Sequence, residues 1–318
     1  MGILVVTEQG ATVRKYGKSL IIEKWEDGKK NRLLEFELIH LDGLLLFGNV
    51  QFTTQALAML MENNVEVSLF SSRGKLRGRI IPPQSKNIVR RILQVETARD
   101  PIRRVKLARL LLLRKYEGML EVGKAKSKNS LHPAAKIFLQ KIKDVPTEIH
   151  KANSVDTLLG IEGNITKDFY TMIRALIRQP EFRFGPRSYR PPKDCFNALI
   201  SFLFTLGTQS AAAILEAMGL DPYLGFLHSL RYGRVSLALD ILEEFRSELV
   251  SLALTMVNRR QLTTRDFNAA RNFFLKKQGL KKVLNAFSTY LEEKSVHYRM
   301  AQASADIIQE MQRLKPES

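Results

Sequence analysis

An α+β protein, with a mainly β N-terminal domain followed by a larger all-α domain, is what three observations in this 318-residue sequence predict. Short apolar runs separated by glycine turns fill the first 85 residues. Paired prolines at Pro82-Pro83 then interrupt that pattern, and from Lys86 onward the apolar period becomes helical. A hydrophobic content of 45% supplies cores for both parts.

The runs Ile3–Thr7, Thr12–Lys15, Ser19–Glu23, Leu33–Ile39 and Leu44–Phe47 read as strands, parted by Gln9-Gly10, Tyr16-Gly17, Glu26-Asp27-Gly28 and Asp42-Gly43. Thr53-Thr54 caps a short helix through Gln55–Met61. Val65–Phe70 returns to strand and turns at Ser71–Gly74 into Leu76–Ile81. A β-sandwich-like domain with one short helix over residues 1–85 accounts for these signals. The boundary falls at Pro82–Ser85, because paired prolines neither donate to a sheet nor sit inside a helix.

Residues 86–318 read as helices. Ile88, Ile92 and Val95 set a helical period, and Asp100-Pro101 is a start signal, since Asp caps and Pro at the first helical position loses no needed N–H. Further helices are predicted over Ala134–Asp144, Val155–Ile177, Cys195–Met218 with Gly219 as the stop, Leu237–Val257, and two or three between Arg265 and Gln312. Gly123–Ser130 reads as a basic loop. A second loop, Glu181–Asp194, interleaves Arg183, Arg187, Arg190 and Lys193 with Phe182, Phe184 and Tyr189, a pattern that suits a phosphate backbone with exposed bases; Arg187, Arg190, Lys193 and Tyr189 are its candidate nucleic-acid contacts.

Composition narrows the function. A single cysteine, Cys195, excludes an intramolecular disulfide and a thiolate zinc site and fits a reducing compartment. No apolar run is read as a bilayer span, and the opening residues lack the features of a secretory signal, so the expected location is cytoplasmic. The net charge of +18 points to a polyanion. Residues 1–85 hold 11 basic and 9 acidic residues, leaving 39 and 23 for the remainder, so the polyanion is assigned to the helical part.

Two places carry candidate chemistry. Ser154 caps a helix whose apolar stripe runs through Leu158, Ile165, Phe169 and Ile173, and Glu162 falls within that stripe. A carboxylate there calls for a metal ion, an Arg or Lys partner, or an unusual protonation state, and taken alone an ion pair is the better reading. Gly160 and Gly163, each costing about 1 kcal/mol relative to Ala in a helix, leave room for a close approach. The second place is Gly225–Arg246. Ser236 is expected to cap a helix carrying Asp240 and Glu243 on one face, with His228 in the loop before it. One imidazole and two or three carboxylates form a mixed nitrogen and oxygen set suited to Mn²⁺ or Mg²⁺. A core histidine and acids that merely complement the helix dipole fit the same spacing.

The stretches Leu46-Phe-Gly-Asn-Val-Gln-Phe-Thr-Thr-Gln-Ala-Leu57, Leu159-Gly-Ile-Glu-Gly163, Asp194-Cys-Phe-Asn-Ala-Leu-Ile200, Leu227-His228 and Gly233–Arg246, in this order across the chain, resemble the CRISPR-associated endonuclease of spacer adaptation, CRISPR-associated protein one. The resemblance implies a β domain that pairs protomers into a homodimer and a helical domain with a divalent metal, Mg²⁺ or Mn²⁺, on Glu162, His228 and Glu243. It leaves Asp240 as a direct ligand, a water-mediated one or an orienter of His228, and Glu244 is taken as solvated. The implied partners are double-stranded DNA, both captured fragment and CRISPR repeat, and the small CRISPR-associated protein two. The implied reaction is in-line attack of a fragment's 3′-hydroxyl on a phosphodiester, with water as nucleophile in the nuclease mode. Two departures stand out: Ser247 where many members carry Pro, and Cys195-Phe196 before Asn197. A non-catalytic nucleic-acid scaffold and an RNA-directed nuclease are the competing readings, separated by metal dependence and substrate preference.

Overall fold

The computed structural model describes residues 2–26, 28–71, 76–82, 88–129, 133–189 and 191–315. The chain forms two compact units, Met1–Gln84 with Arg265–Ser295, and Ser85–Thr264 with Val296–Ser318. The turn residues Ser72–Gly74 and the boundary residues Pro83–Ser85 lie outside the described residues.

In the first unit, strands β1 (Gly2–Val6), β5 (Leu41–Phe47), β7 (Glu66–Phe70) and β8 (Leu76–Ile80) form a sheet in the order β1-β5-β7-β8, parallel except for the antiparallel β7/β8 pair. A second sheet, ordered β4-β3-β2-β6, comprises β2 (Ala11–Tyr16), β3 (Ser19–Glu26), β4 (Lys29–Glu37) and β6 (Gln51–Phe52). Its hairpins turn at Gly17 and Gly28, whose φ of +58° and +73° a side chain would strain. Val13, Leu20 and Ile22 of this sheet share one core with Leu4, Leu44, Leu46 and Val67 of the other and with Leu60 of helix α1 (Thr54–Glu62), which Thr53 caps by accepting the Ala56 N–H. Strand alternation put these residues on inward faces.

Residues 265–295 return to this unit, which the sequence division at 85/86 did not foresee. They contribute the short strands β9 (Phe267–Asn268) and β10 (Phe274–Leu275) and helix α9 (Lys277–Glu293), which buries Leu280, Val283, Leu284 and Phe287. A helical period identifies an apolar face but not the core that receives it. The segment brings seven basic and three acidic residues, so the first unit holds 18 and 12 and the second 32 and 20. The near neutrality of the first unit therefore disappears.

The second unit is helical: α2 (Ile88–Arg99), α3 (Pro101–Asn129), α4 (Ala134–Lys141), α5 (Val145–Lys151), α6 (Val155–Leu176), α7 (Cys195–Ala217), α8 (Ser236–Asn258) and α10 (Val296–Arg313). Asp100 starts α3 by accepting the N–H groups of Ile102 and Arg103, and Ser154 starts α6 by accepting that of Thr157. The helical period of Ile88, Ile92 and Val95 is that of α2, on whose exposed side the three lie, opposite buried Leu93, Gln94 and Thr97. Several other expectations are corrected. Gly123–Asn129 is not a loop but the last part of α3. A Cβ at Gly123 would lie 3.1 Å from the Phe138 ring, so this glycine marks a close helix crossing rather than a helix end. Ser236 is the first residue of α8 rather than its cap, and its hydroxyl donates to the Ser229 carbonyl at 3.1 Å. By length and composition α7 is apolar enough to cross a membrane, contrary to the sequence reading, and most of it is buried within this unit.

Candidate active site

Helices α3, α6 and α8 bring Lys115, Glu162 and Glu243 together. The Lys115 ammonium donates to Glu162 Oε1 and lies 2.7 Å from Glu243 Oε2. Thr166, one turn beyond Glu162, donates to the same Glu162 oxygen at 2.9 Å. Glu243 Oε1 faces His228 Nε2 at 3.6 Å and the Arg246 guanidinium at 3.3 Å. Lys115 and Glu243 are buried, whereas Glu162 and His228 reach the surface with side chains 21% and 14% exposed. Gly160 and Gly163 are exposed on α6, and a Cβ at either would meet open space.

The approach of α3 to α8 is set by backbone. A Cβ at Gly118, one turn beyond Lys115, would lie 2.7 Å from the Glu244 carbonyl and 2.9 Å from Ser247 Oγ. Only glycine permits this crossing, and it places Lys115 within reach of Glu243.

Asp240 is occupied from within the chain. Its Oδ2 accepts the N–H groups of Phe226 and Leu227, at 2.7 and 3.0 Å, and its Oδ1 accepts the N–H and Nδ1 of His228, at 3.0 and 2.6 Å. Gly225 lets the loop wrap this carboxylate, because a Cβ there would lie 2.7 Å from Oδ2. With Nδ1–H given to Asp240, Nε2 is the ring nitrogen available to a ligand. Among the alternatives for Asp240, the geometry is that of an orienter.

Electrostatics follow from this packing. Burial alone would raise the Glu243 carboxyl, but Arg246, Lys115 and His228 outweigh it and hold its pKa at about 2. Burial would likewise lower the Lys115 ammonium, and the opposing charges of Glu243 and Glu162 raise it above its ordinary value. Glu244 is not solvated as expected: it is mostly buried, 3.6 Å from Arg114, and burial pushes its carboxyl upward.

The donor chemistry of Glu162, His228 Nε2 and Glu243 fits Mg²⁺ or Mn²⁺, and buried Glu243 Oε2 has no aligned hydrogen-bond donor. Among the described residues, no three acid, histidine or cysteine side chains stand as they are in an arrangement that could hold a metal ion. The Lys115 ammonium lies between the two glutamates. Sequence reasoning missed Lys115 and Arg246. Lys115 nevertheless falls in the buried stripe of α3 that Leu107, Leu111, Met119 and Val122 define, the same kind of signal that singled out Glu162.

The loop before α7 is pinned rather than open. Asn197, fully buried, accepts from Arg187 Nη1 and the Ser188 N–H, both at 3.0 Å, and donates to Asp194 and to the Pro186 carbonyl. Arg187 is half-buried, hydrogen-bonded to Asn197 and 5.7 Å from the Phe204 ring centre. Phe182 and Phe184 are buried too. Tyr189 and Lys193 are exposed, and Arg190 lies outside the described residues. Beside the His228 loop, a cavity of about 550 Å³ is lined by Arg99, Arg104 and Arg231, with Leu159 and Leu227 among its apolar walls.

The family profile for CRISPR associated protein Cas1 matches residues 4–289. The chain is 31% identical over 299 residues to the CRISPR-associated endonuclease Cas1 3 of Thermus thermophilus, covering 93% of this chain and 87% of that one. Its fold is that of a Cas1 protein from Thermotoga maritima, with a TM-score of 0.81, 23% identity and full coverage of both chains. It is also that of a casposase bound to integration product, with a TM-score of 0.79, 20% identity and coverage of 100% and 92%. A chain of a Cas6-RT-Cas1–Cas2 complex gives a TM-score of 0.79 at 20% identity, covering 98% of this chain and 35% of that one. The match extends from the first strand into α9 and spans Glu162, His228 and Glu243, and the chain belongs to the CRISPR-associated protein Cas1 family.

Proposed function

We propose that this chain is the integrase of CRISPR adaptation, a divalent-metal-dependent DNA endonuclease that joins the 3′-hydroxyl ends of captured fragments to the CRISPR array by transesterification. The observation that carries the reading is the convergence of Glu162, His228 and Glu243, from two helices and a loop, beside an arginine-lined cavity in a strongly basic unit. A relative named as an endonuclease and the shared fold of a casposase bound to integration product support it.

Glu162, His228 Nε2 and Glu243 would hold the ion. Bound there, Mg²⁺ or Mn²⁺ supplies Lewis-acid activation of the attacking hydroxyl and neutralises charge developing on the phosphate. Asp240 fixes the His228 ring so that Nε2 faces the site. Arg99, Arg104 and Arg231 offer cationic groups to the adjoining strand, and the bare face at Gly160 and Gly163 admits the DNA backbone. Attack by water instead of a 3′-hydroxyl gives nicking, so nuclease and strand-transfer activities share one geometry. In this reading the chain acts as a homodimer with CRISPR-associated protein two, a pairing supported by the fold shared with a Cas1–Cas2 complex.

The test is integration of a fragment into a supercoiled plasmid carrying a repeat, with the small partner present and with Mn²⁺, Mg²⁺ or chelator. Joining and nicking should require the ion and be lost in Glu162→Gln, His228→Ala and Glu243→Gln, with DNA binding retained. Binding without any metal-dependent joining or nicking would establish the scaffold reading instead.

A further inference from the structure

We propose that Lys115 is the resident counter-ion of the Glu162–Glu243 pair and that a divalent cation enters the site by displacing its ammonium group. This inference rests on the metal-dependent reading above. The Lys115 side chain is 2% exposed and touches carboxylates on two other helices, so it neutralises acids that would otherwise repel each other in a buried place. Its ammonium sits between one oxygen of each glutamate, a position that a cation bridging the two would take. A monovalent and a divalent cation on the same two carboxylates repel strongly in a poorly solvated interior, so occupancy by one excludes the other.

Three features make the displacement feasible. Glu243 Oε2 is 2.7 Å from the ammonium without hydrogen-bond alignment, so this contact is an ion pair and not an optimised bond. The remaining groups stay in place when the ammonium leaves: Arg246 and His228 face Glu243 Oε1, and Asp240 holds the His228 ring. Lysine itself suits the task, because a flexible four-carbon stem lets its charge withdraw where a guanidinium fork would not. The metal-free protein thereby keeps its acids ionised and adjacent, and binds metal less tightly than the bare acids would.

The experiment compares wild type and Lys115→Met by Mn²⁺ titration, reading free Mn²⁺ by electron paramagnetic resonance at pH 8, and by thermal melting in chelator. The variant should melt several degrees lower without metal. It should bind Mn²⁺ about tenfold more tightly or better, because a competing cation is gone. A lysine that only supported packing would loosen the site and weaken Mn²⁺ binding. Because Lys115→Met leaves buried charge unpaired and can fail to fold, Lys115→Met with Glu162→Gln is measured alongside. Removing both charges should recover melting towards wild type. Equal or weaker Mn²⁺ binding by foldable Lys115→Met, or no recovery in the double variant, overturns the counter-ion role and leaves the metal reading standing. Absence of Mn²⁺ binding by both wild type and Lys115→Met overturns both.

Discussion

His228 Nδ1 lies 2.6 Å from Asp240 Oδ1, and the same carboxylate accepts three backbone N–H groups from residues 226–228. One buried acid therefore fixes both the loop and the ring it carries. Asp240→Asn should weaken Mn²⁺ binding by roughly 10- to 100-fold, as loss of a group orienting a histidine ligand does. Residual strand transfer should be recovered at high Mn²⁺, whereas Glu243→Gln should show none. Mn²⁺ dependence of joining rates in the two variants checks this; loss in Asp240→Asn that excess Mn²⁺ cannot relieve would make Asp240 a direct participant.

Acid should unfold the metal-free protein partly through Glu243. Its carboxyl is held at about 2, below its ordinary 4.5, so the stability it contributes is complete above about 4.5 and is lost as pH falls towards 2. Glu243→Gln should be less stable than wild type near neutrality and show a shallower loss over that acid range. Melting temperatures in chelator between pH 7 and pH 2.5 report the difference.

Cys195 should be an inert thiol. It is buried at the start of α7, and burial, reinforced by neighbouring Asp194, raises its pKa to about 11. At pH 8 the native protein should react with iodoacetamide far more slowly than the denatured chain, because little thiolate forms and access is poor. Mass spectrometry of alkylated native and urea-unfolded samples gives the ratio.

Arg187 and Lys193 should separate folding from DNA contact. Arg187→Ala removes a donor to buried Asn197 and should lower the melting temperature with little change in the salt dependence of DNA affinity. Lys193→Ala should leave melting unchanged and reduce the slope of log affinity against log salt by about 0.9 if Lys193 meets one phosphate. Fluorescence anisotropy across salt concentrations, in chelator, distinguishes these effects.

Local periodicity made the strands of both sheets other than the two-residue β6 legible, with the long helices, because alternation and helical spacing are properties of neighbouring residues. Long-range placement was less accessible. Nothing local to residues 265–295 shows that α9 joins the β unit, and the charge asymmetry inferred from a single cut at residue 85 disappears once that segment is moved. Glu162 was legible as a carboxylate in an apolar stripe, but its partner required knowing that α3 packs against α6. Gly123 misled because a glycine serving a close crossing looks, in sequence, like a glycine ending a helix. The partner of Arg187 was illegible for a related reason: a basic loop looks the same whether its guanidinium faces solvent or a buried asparagine.

The crossing at Gly118 has a consequence for how this site can vary. Backbone contact, not charge, sets the spacing between the lysine and the acid, so one added methyl group at position 118 would prise the helices apart by part of an ångström. Gly118→Ala thus acts as a mechanical wedge. It alters the reach of a distant charge while leaving every ionisable group in the protein untouched, and offers a way to tune ion preference through geometry alone.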